Sequence, residues 1–280
     1  VDKMSASLLI ERIEVEDSSP AGGVVEIWTI NRADKLNALN SEVVAALNNA
    51  CSAAESDNDV RVVVIRGAAA GPALEGKRQK PAAFVAGADI TEFVGKDSSE
   101  IRPIFENNAW EAIWNLSMPT VASIDGFALG GGSEIALSCD MRIATNRSNF
   151  GTPEINLGLI PGGGGTQRLT RLLGYGKAME MVMTGEMVPA VEAYRIGLVN
   201  RLCEPEELYD TTMELAMVLA NKSPHTIKVA KRAVRAALDH GLEDGVKIER
   251  DEFCALFDTD DKEIGVNAFI NREKPEWKGC

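Results

Sequence analysis

Two glutamates stand out because of what surrounds them. Glu134 follows Gly130-Gly131-Gly132-Ser133, so three glycines run into a predicted helix N-terminus. Amide groups there point outward and carry the positive end of the helix dipole. That geometry suits an oxyanion hole, provided a second N–H donor comes from elsewhere. Glu154 follows Pro153 in an otherwise apolar stretch. A carboxyl group between apolar segments has a raised pKa and can serve as a general acid. Each glutamate also has a plainer reading. Glu134 could be a first-turn carboxylate held by the dipole, and Glu154 a buried acid salt-bridged to Arg168 or Arg142. A third segment, Phe84-Val85-Ala86-Gly87-Ala88-Asp89-Ile90, ends a predicted strand in a turn of small residues. Such a turn lets a ligand approach backbone N–H groups, although an ordinary tight turn would look the same. Together the three segments offer two carboxylates, two places for backbone donors and no metal ligands. That set suits polarising a carbonyl while protons and water move at neighbouring carbons.

Other chemistries are poorly supplied. The two histidines, His225 and His240, fall in a Lys/Arg-bearing helical stretch and read as surface residues, not as metal ligands or triad members. Cys51, Cys139, Cys203, Cys254 and Cys280 are odd in number and never spaced as CxxC, which fits reduced thiols in a cytoplasmic enzyme. The run from Gly71 to Lys77 spells most of a phosphate loop, but Arg78 stands where the Mg²⁺-binding Ser or Thr belongs. Gln79-Lys80-Pro81 then follows instead of an apolar helix. Lys plus Arg number 29 against 42 Asp plus Glu, a net charge of −13. Neither nucleic acid nor an anionic membrane is an expected partner of so acidic a chain. No run of 18 apolar residues offers a membrane span, and the first residues do not resemble a signal peptide.

The elements that must position these groups read as α/β. The chain has 280 residues, 45% apolar and 25% charged, enough for one large domain with or without a smaller appendage. Leu8 to Val15 and Val24 to Ile30 read as strands joined by a Ser-Pro-Ala-Gly-Gly turn. Ser41 to Ser56 reads as a helix capped by Ser41, and Val60 to Ile65 as a buried strand. Glu100 to Leu116 reads as one amphipathic helix, Thr120 to Ile124 as a strand, Ser133 to Ser138 as a short helix, and Met141 to Ala144 as a strand. Four helical stretches follow: Pro205 to Asn221, Pro224 to His240, Leu242 to Phe257 and Asp260 to Asn271. Residues 1–203 thus read as an α/β body holding the site, and residues 204–280 as a helical region for packing on another subunit.

The motifs resemble those of the enoyl-CoA hydratase/isomerase (crotonase) family nearly end to end. They include Asn31-Arg-Ala-Asp-Lys-Leu-Asn-Ala-Leu39, the Ala86-to-Ile90 turn, Gly130 to Glu134, and Pro153-Glu154 with Pro161-Gly-Gly-Gly-Gly-Thr-Gln-Arg168. Thr259 to Glu263 and the tail from Ala268 to Lys278 also resemble the family. The resemblance implies a crotonase-like spiral of strand–strand–helix turns with a helical C-terminal trimerisation region. It implies a homo-oligomer, a hexamer built as a dimer of trimers. It also implies an acyl-CoA thioester substrate, with CoA as part of the substrate and no separate cofactor or metal. By the same resemblance, Ala88 and Gly131 donate to the thioester oxygen. Lys35, Leu36, Ala86, Gly87, Asp89 and Ile90 contact CoA, and Gly162 lies near the catalytic water.

Family members run several reactions, so the fold alone does not fix the chemistry. Hydratases of the family carry both glutamates, twenty residues apart as here, whereas many isomerases keep one. The resemblance therefore implies reversible hydration, with Glu134 deprotonating water and Glu154 protonating the α-carbon. An isomerase of the same family and a catalytically silent oligomeric binding protein are the alternatives. The chain departs from the family pattern at Ala33, where proline is usual, and in a longer loop from Ala68 to Pro81. Lys77, Arg78 and Lys80 in that loop could meet CoA phosphates or merely solvate it. Phe93 stands where many relatives carry a flexible methionine; a stiffer ring there would close the acyl pocket and favour short substrates.

Overall fold

The structure, a computed structural model, describes residues 7–15, 22–71, 79–106 and 108–280. Ten strands are present among the described residues: β1 (Leu8–Glu14), β2 (Val24–Ile30), β3 (Val60–Gly67), β4 (Ala83–Val85), β5 (Thr120–Ile124), β6 (Phe127–Leu129), β7 (Met141–Thr145), β8 (Asn149–Gly151), β9 (Val188–Pro189) and β10 (Arg201–Cys203). They form two sheets. One runs β1-β2-β3-β5-β7-β10 and the other β4-β6-β8-β9. In the larger sheet only the β1–β2 pair is antiparallel. Its strands β3, β5 and β7 are each followed by a strand of the smaller sheet and then by helix. Right-twisted parallel strands need such crossovers, so the chain winds as a spiral of strand–strand–helix turns.

The helices are α1 (Ser41–Ser56), α2 (Ser98–Glu106), α3 (Ala109–Asn115), α4 (Gly131–Ser138), α5 (Gly165–Leu173), α6 (Tyr175–Thr184), α7 (Ala190–Arg195), α8 (Leu208–Ala220), α9 (Pro224–Ala236), α10 (Leu242–Ala255) and α11 (Asp260–Asn271). One face of the larger sheet packs on α1, α3 and α4 through Trp28, Leu47, Ile65, Ile113 and Ile135. The other face carries Val25, Val62 and Val64 against Leu215 and Ala216 of α8. Strands buried on both faces explain the unbroken apolar run in β3. The last strand ends at Cys203, and only helices follow.

Several expectations need correction. Helix α1 begins at Ser41, but its cap is Asn40, whose side chain accepts from Val43 N at 3.1 Å. The Ser41 hydroxyl instead donates to Glu92. The stretch read as one helix from Glu100 to Leu116 is two, because Asn108 caps α3 by accepting from Glu111 N at 2.8 Å. The glycines before Glu134 lie partly inside α4, which starts at Gly131. Part of the first turn (residues 16–21) and the Gly76-Lys77-Arg78 stretch of the phosphate-loop-like run lie outside the described residues.

Candidate active site

The Asn31–Leu39 motif builds a cradle for the turn after β4. Leu36 and Asn37 take left-handed backbone angles, φ 53° and 57°. Asn37 Nδ2 then donates to Ala68 O and Ala83 O, at 2.9 and 2.8 Å. Arg32 closes the loop on Ala38 O and pairs with Asp89 at 3.0 Å. Three backbone bonds follow: Ala86 N to Leu36 O, Leu39 N to Gly87 O and Asp89 N to Leu39 O. These bonds pass over Ala88, whose amide has no acceptor among the described residues.

Glycine then brings α4 against this turn. A β-carbon at Gly132 would lie 2.1 Å from Val85 O, so only a residue without one permits the approach. As a result, a β-carbon on Gly131 would lie 3.7 Å from Ala88 N. The Gly131 amide is the first of the helix and likewise lacks an acceptor among the described residues. The same peptide unit is fixed from its other end, since Glu134 N donates to Gly130 O at 3.0 Å. Trp110 Nε1 donates to Gly131 O at 2.9 Å and steadies the next peptide. Two free amides from different segments therefore lie side by side.

Helix α4 is buried along its whole length, Glu134 included. Its C-terminal carbonyls, Ala136 O and Cys139 O, accept from the buried Arg142 guanidinium. Glu134 Oε1 accepts from Gly163 N and Gly165 N, both at 2.8 Å. Burial pushes the Glu134 carboxyl up to about 7; the nearby Glu154 charge adds to the rise, and the two amides and Arg168 oppose it. Glu154 sits in the 3-10 turn Pro153–Leu157. A β-carbon at Gly130 would lie 3.0 Å from its Oε1, and its Oε2 is buried without a hydrogen-bond partner. Half-burial raises its pKa as well. Neither arginine pairs with it. Arg142 serves Leu198 O and the end of α4, and Arg168 donates to Gly163 O.

One cavity of about 590 Å³ brings most of the expected residues together. Glu134, Glu154, Gly131, Ala86, Gly87, Ala88, Ile90, Phe93 and Gly162 line it. Lys35, Leu36 and Asp89 do not. Lys35 is exposed, Leu36 supplies the carbonyl for Ala86, and Asp89 is tied to Arg32 and Thr91. Of the basic loop residues only Lys80 is described, and it donates to Asp34 O. Among the described residues no group of three or more His, Cys, Asp and Glu could hold a metal ion. No helix there is long and apolar enough to cross a membrane. The sequence alone does not reveal the Gly163 and Gly165 donors or the Trp110 indole N–H. The only signal was the glycine run itself: a β-carbon at Gly163 would strike the Trp110 ring at 2.5 Å, and one at Gly162 the Phe105 ring at 2.8 Å.

The comparisons agree on the lineage. A short-chain-enoyl-CoA hydratase from Clostridium acetobutylicum is 39% identical over 256 residues, covering 91% of this chain and 94% of that protein. A crotonyl-CoA hydratase from Syntrophomonas wolfei is 35% identical, covering 88% and 91%. The crystal structure of an enoyl-CoA hydratase from Bacillus anthracis superposes with a TM-score of 0.87 at 31% identity, covering 98% of this chain and all of that one. Residues 20–280 match the family described as enoyl-CoA hydratase/isomerase. With the spiral, the paired amides and the relatives in agreement, the chain belongs to the enoyl-CoA hydratase/isomerase family.

Proposed function

We propose that this enzyme is an enoyl-CoA hydratase, a hydro-lyase that adds water reversibly across the 2,3 double bond of a short-chain enoyl-CoA. The observation that carries this reading is the meeting of two raised carboxyl groups and two unpaired amides in one cavity. Ala88 N and Gly131 N would donate to the thioester oxygen, which gains charge as the C2=C3 bond is attacked. Glu134 would take a proton from water as its oxygen bonds to C3. Glu154 would deliver a proton to C2, collapsing the enolate and restoring the thioester carbonyl. Run backwards, the same steps dehydrate a 3-hydroxyacyl-CoA.

Two effects compete over which glutamate starts protonated. Deeper burial favours the proton on Glu134. Hydrogen bonding favours it on Glu154, because Glu134 Oε1 accepts from two amides while Glu154 Oε2 has no partner. The two amides on Glu134 favour it as the base and Glu154 as the proton donor. The pair shares one site and titrates as a unit. A hydration assay across short and long enoyl-CoAs tests the reading; isomerisation without hydration would refute it.

Chain length gives a separate prediction. Phe93 lies half-buried in the wall of the cavity, which Ile101, Ile104 and Phe105 also line. One methylene changes discrimination by about 1–3 kcal/mol, so a sharp cutoff needs a steric wall. We expect wild type to have a higher kcat/KM for the four-carbon than for the ten-carbon enoyl-CoA, and Phe93→Ala to narrow the gap. An unmoved ratio would remove Phe93 from that role.

The CoA moiety would run past Ala86, Gly87 and Ile90, with exposed Lys35 within reach of the phosphates, and no other cofactor takes part. A homo-oligomer, a hexamer of two trimers, fits the exposed apolar side chains of the C-terminal helices, among them Phe253, Phe257, Phe269 and Ile270. A cytoplasmic location fits the unpaired cysteines.

A further inference from the structure

One charged side chain beside Glu134 takes no part in the proposed chemistry. Arg168 lies near the start of α5, and its Nη1 donates to Gly163 O at 2.7 Å. Its own amide donates to Gly164 O at 2.9 Å. A β-carbon at Gly164 would lie 2.3 Å from Nη1, so the guanidinium rests directly on this loop. Gly163 and Gly165, on either side, supply the two amides that grip Glu134 Oε1. The arginine is itself held. Its Cζ lies 4.9 Å from the Trp114 ring centroid, and Arg235 lies over the same ring at 4.0 Å. Arg235 and Lys231, both of α9, pair with Asp140 at 2.7 Å each. Stacking and a fixed fork of donors are properties of arginine that lysine does not share.

We propose that Arg168 is a positioning residue for Glu134: it pins the Gly163–Gly165 loop so that both amides stay on one carboxylate oxygen, and it sets a permanent positive charge near that carboxylate. The proposal rests on the hydratase reading, in which Glu134 must be ionised to take a proton from water. Glu134 is faced by the Glu154 carboxyl and by Arg168. Arg168 is faced by Glu134, by Glu111 of α3, by Arg235 of α9 and by Cys139. A guanidinium stays charged at any working pH. Removing it takes away a cation and loosens two donors. Both changes disfavour the ionised carboxyl, so the Glu134 pKa must rise.

The test is the pH dependence of crotonyl-CoA hydration by wild type, Arg168→Met, Arg168→Lys and Glu134→Gln. For Arg168→Met we expect kcat to fall about 10- to 100-fold, the scale of a misplaced catalytic group. KM should move by less than about 3-fold, because ground-state contacts are untouched. The acidic limb of kcat/KM should shift to higher pH. Arg168→Lys keeps the charge but loses the fork and the stack, so kcat falls and the limb shifts less than in Arg168→Met. If the Met variant does not fold, a Lys variant with wild-type kcat overturns the proposal. So does a Met variant whose kcat falls with the limb unmoved, since packing loss alone would do that. A wild type that does not hydrate would sink the hydratase reading instead. A hydrating wild type with inactive Glu134→Gln and unaffected Arg168 variants would sink only the role of Arg168.

Discussion

Glu134→Gln should lose hydration turnover by about 10²–10⁴-fold while still binding crotonyl-CoA, and Glu154→Gln should do the same. Amide side chains keep the shape of the carboxylates but remove their charge and their proton exchange. Because both proton transfers belong to the same turnover, the double variant should be little worse than the worse single variant. Steady-state rates with a binding titration check this, and a single variant retaining near-wild-type hydration would refute the two-glutamate assignment. Glu134→Gln should also be more stable than wild type at pH 8. The Glu134 carboxyl has its pKa raised from 4.5 to about 7 by the fold. The unfolded chain therefore releases its proton first, and stability is lost as pH rises from about 4.5 to about 7. The glutamine variant escapes that loss, worth up to about 3 kcal/mol by the linkage relation. Its Tm gain should be full at pH 8 and vanish near pH 4.5. A gain independent of pH would mean that something other than the buried charge is at work.

Gly131→Pro should cost at least about 10²–10³-fold in kcat, the worth of one oxyanion-hole donor. Gly131 is the first residue of α4, where proline fits a helix and its missing N–H breaks no intrahelical bond. The substitution thus removes the donor and leaves helix propensity intact. A β-carbon there would meet Leu39 Cδ1 and Trp110 Cζ2 at 3.3 Å each, so crowding must be separated from donor loss. Gly131→Ala does this, because it adds the β-carbon and keeps the N–H. We expect Ala to retain far more activity than Pro, with circular dichroism and assembly size unchanged in both. Equal losses in the two variants would point to crowding and remove Gly131 from the oxyanion hole.

The sequence exposed the site more readily than the scaffold. Glu134 and Glu154 were legible because a carboxylate after a glycine run, or inside an apolar stretch, is chemically conspicuous. The strand Thr120–Ile124 was legible because Pro119 marks its start, and the helix Asp260–Asn271 because of its helical periodicity. The three-residue strands β6, β8 and β10 are too short to show a period; they exist because neighbouring strands pair with them. Helices α5 and α6 were not legible because Gly162 to Gly165, Gly174 and Gly176 interrupt any helical pattern in their stretch. The break at Asn108 hid inside one amphipathic pattern. Gly163 and Gly165 were invisible as ligands of Glu134 because a backbone donor carries no side-chain signature. The same holds for Trp110, whose indole N–H meets a carbonyl that no motif marks.

Hydration of crotonyl-CoA, followed as loss of the conjugated thioester absorbance in wild type and Glu134→Gln side by side, tests the central claim most directly. Wild type should remove the absorbance rapidly and yield 3-hydroxybutyryl-CoA, and the variant should show no detectable loss on the same timescale while still binding the thioester. Wild type that leaves the absorbance unchanged, or a Glu134→Gln variant that removes it at the wild-type rate, would contradict the account.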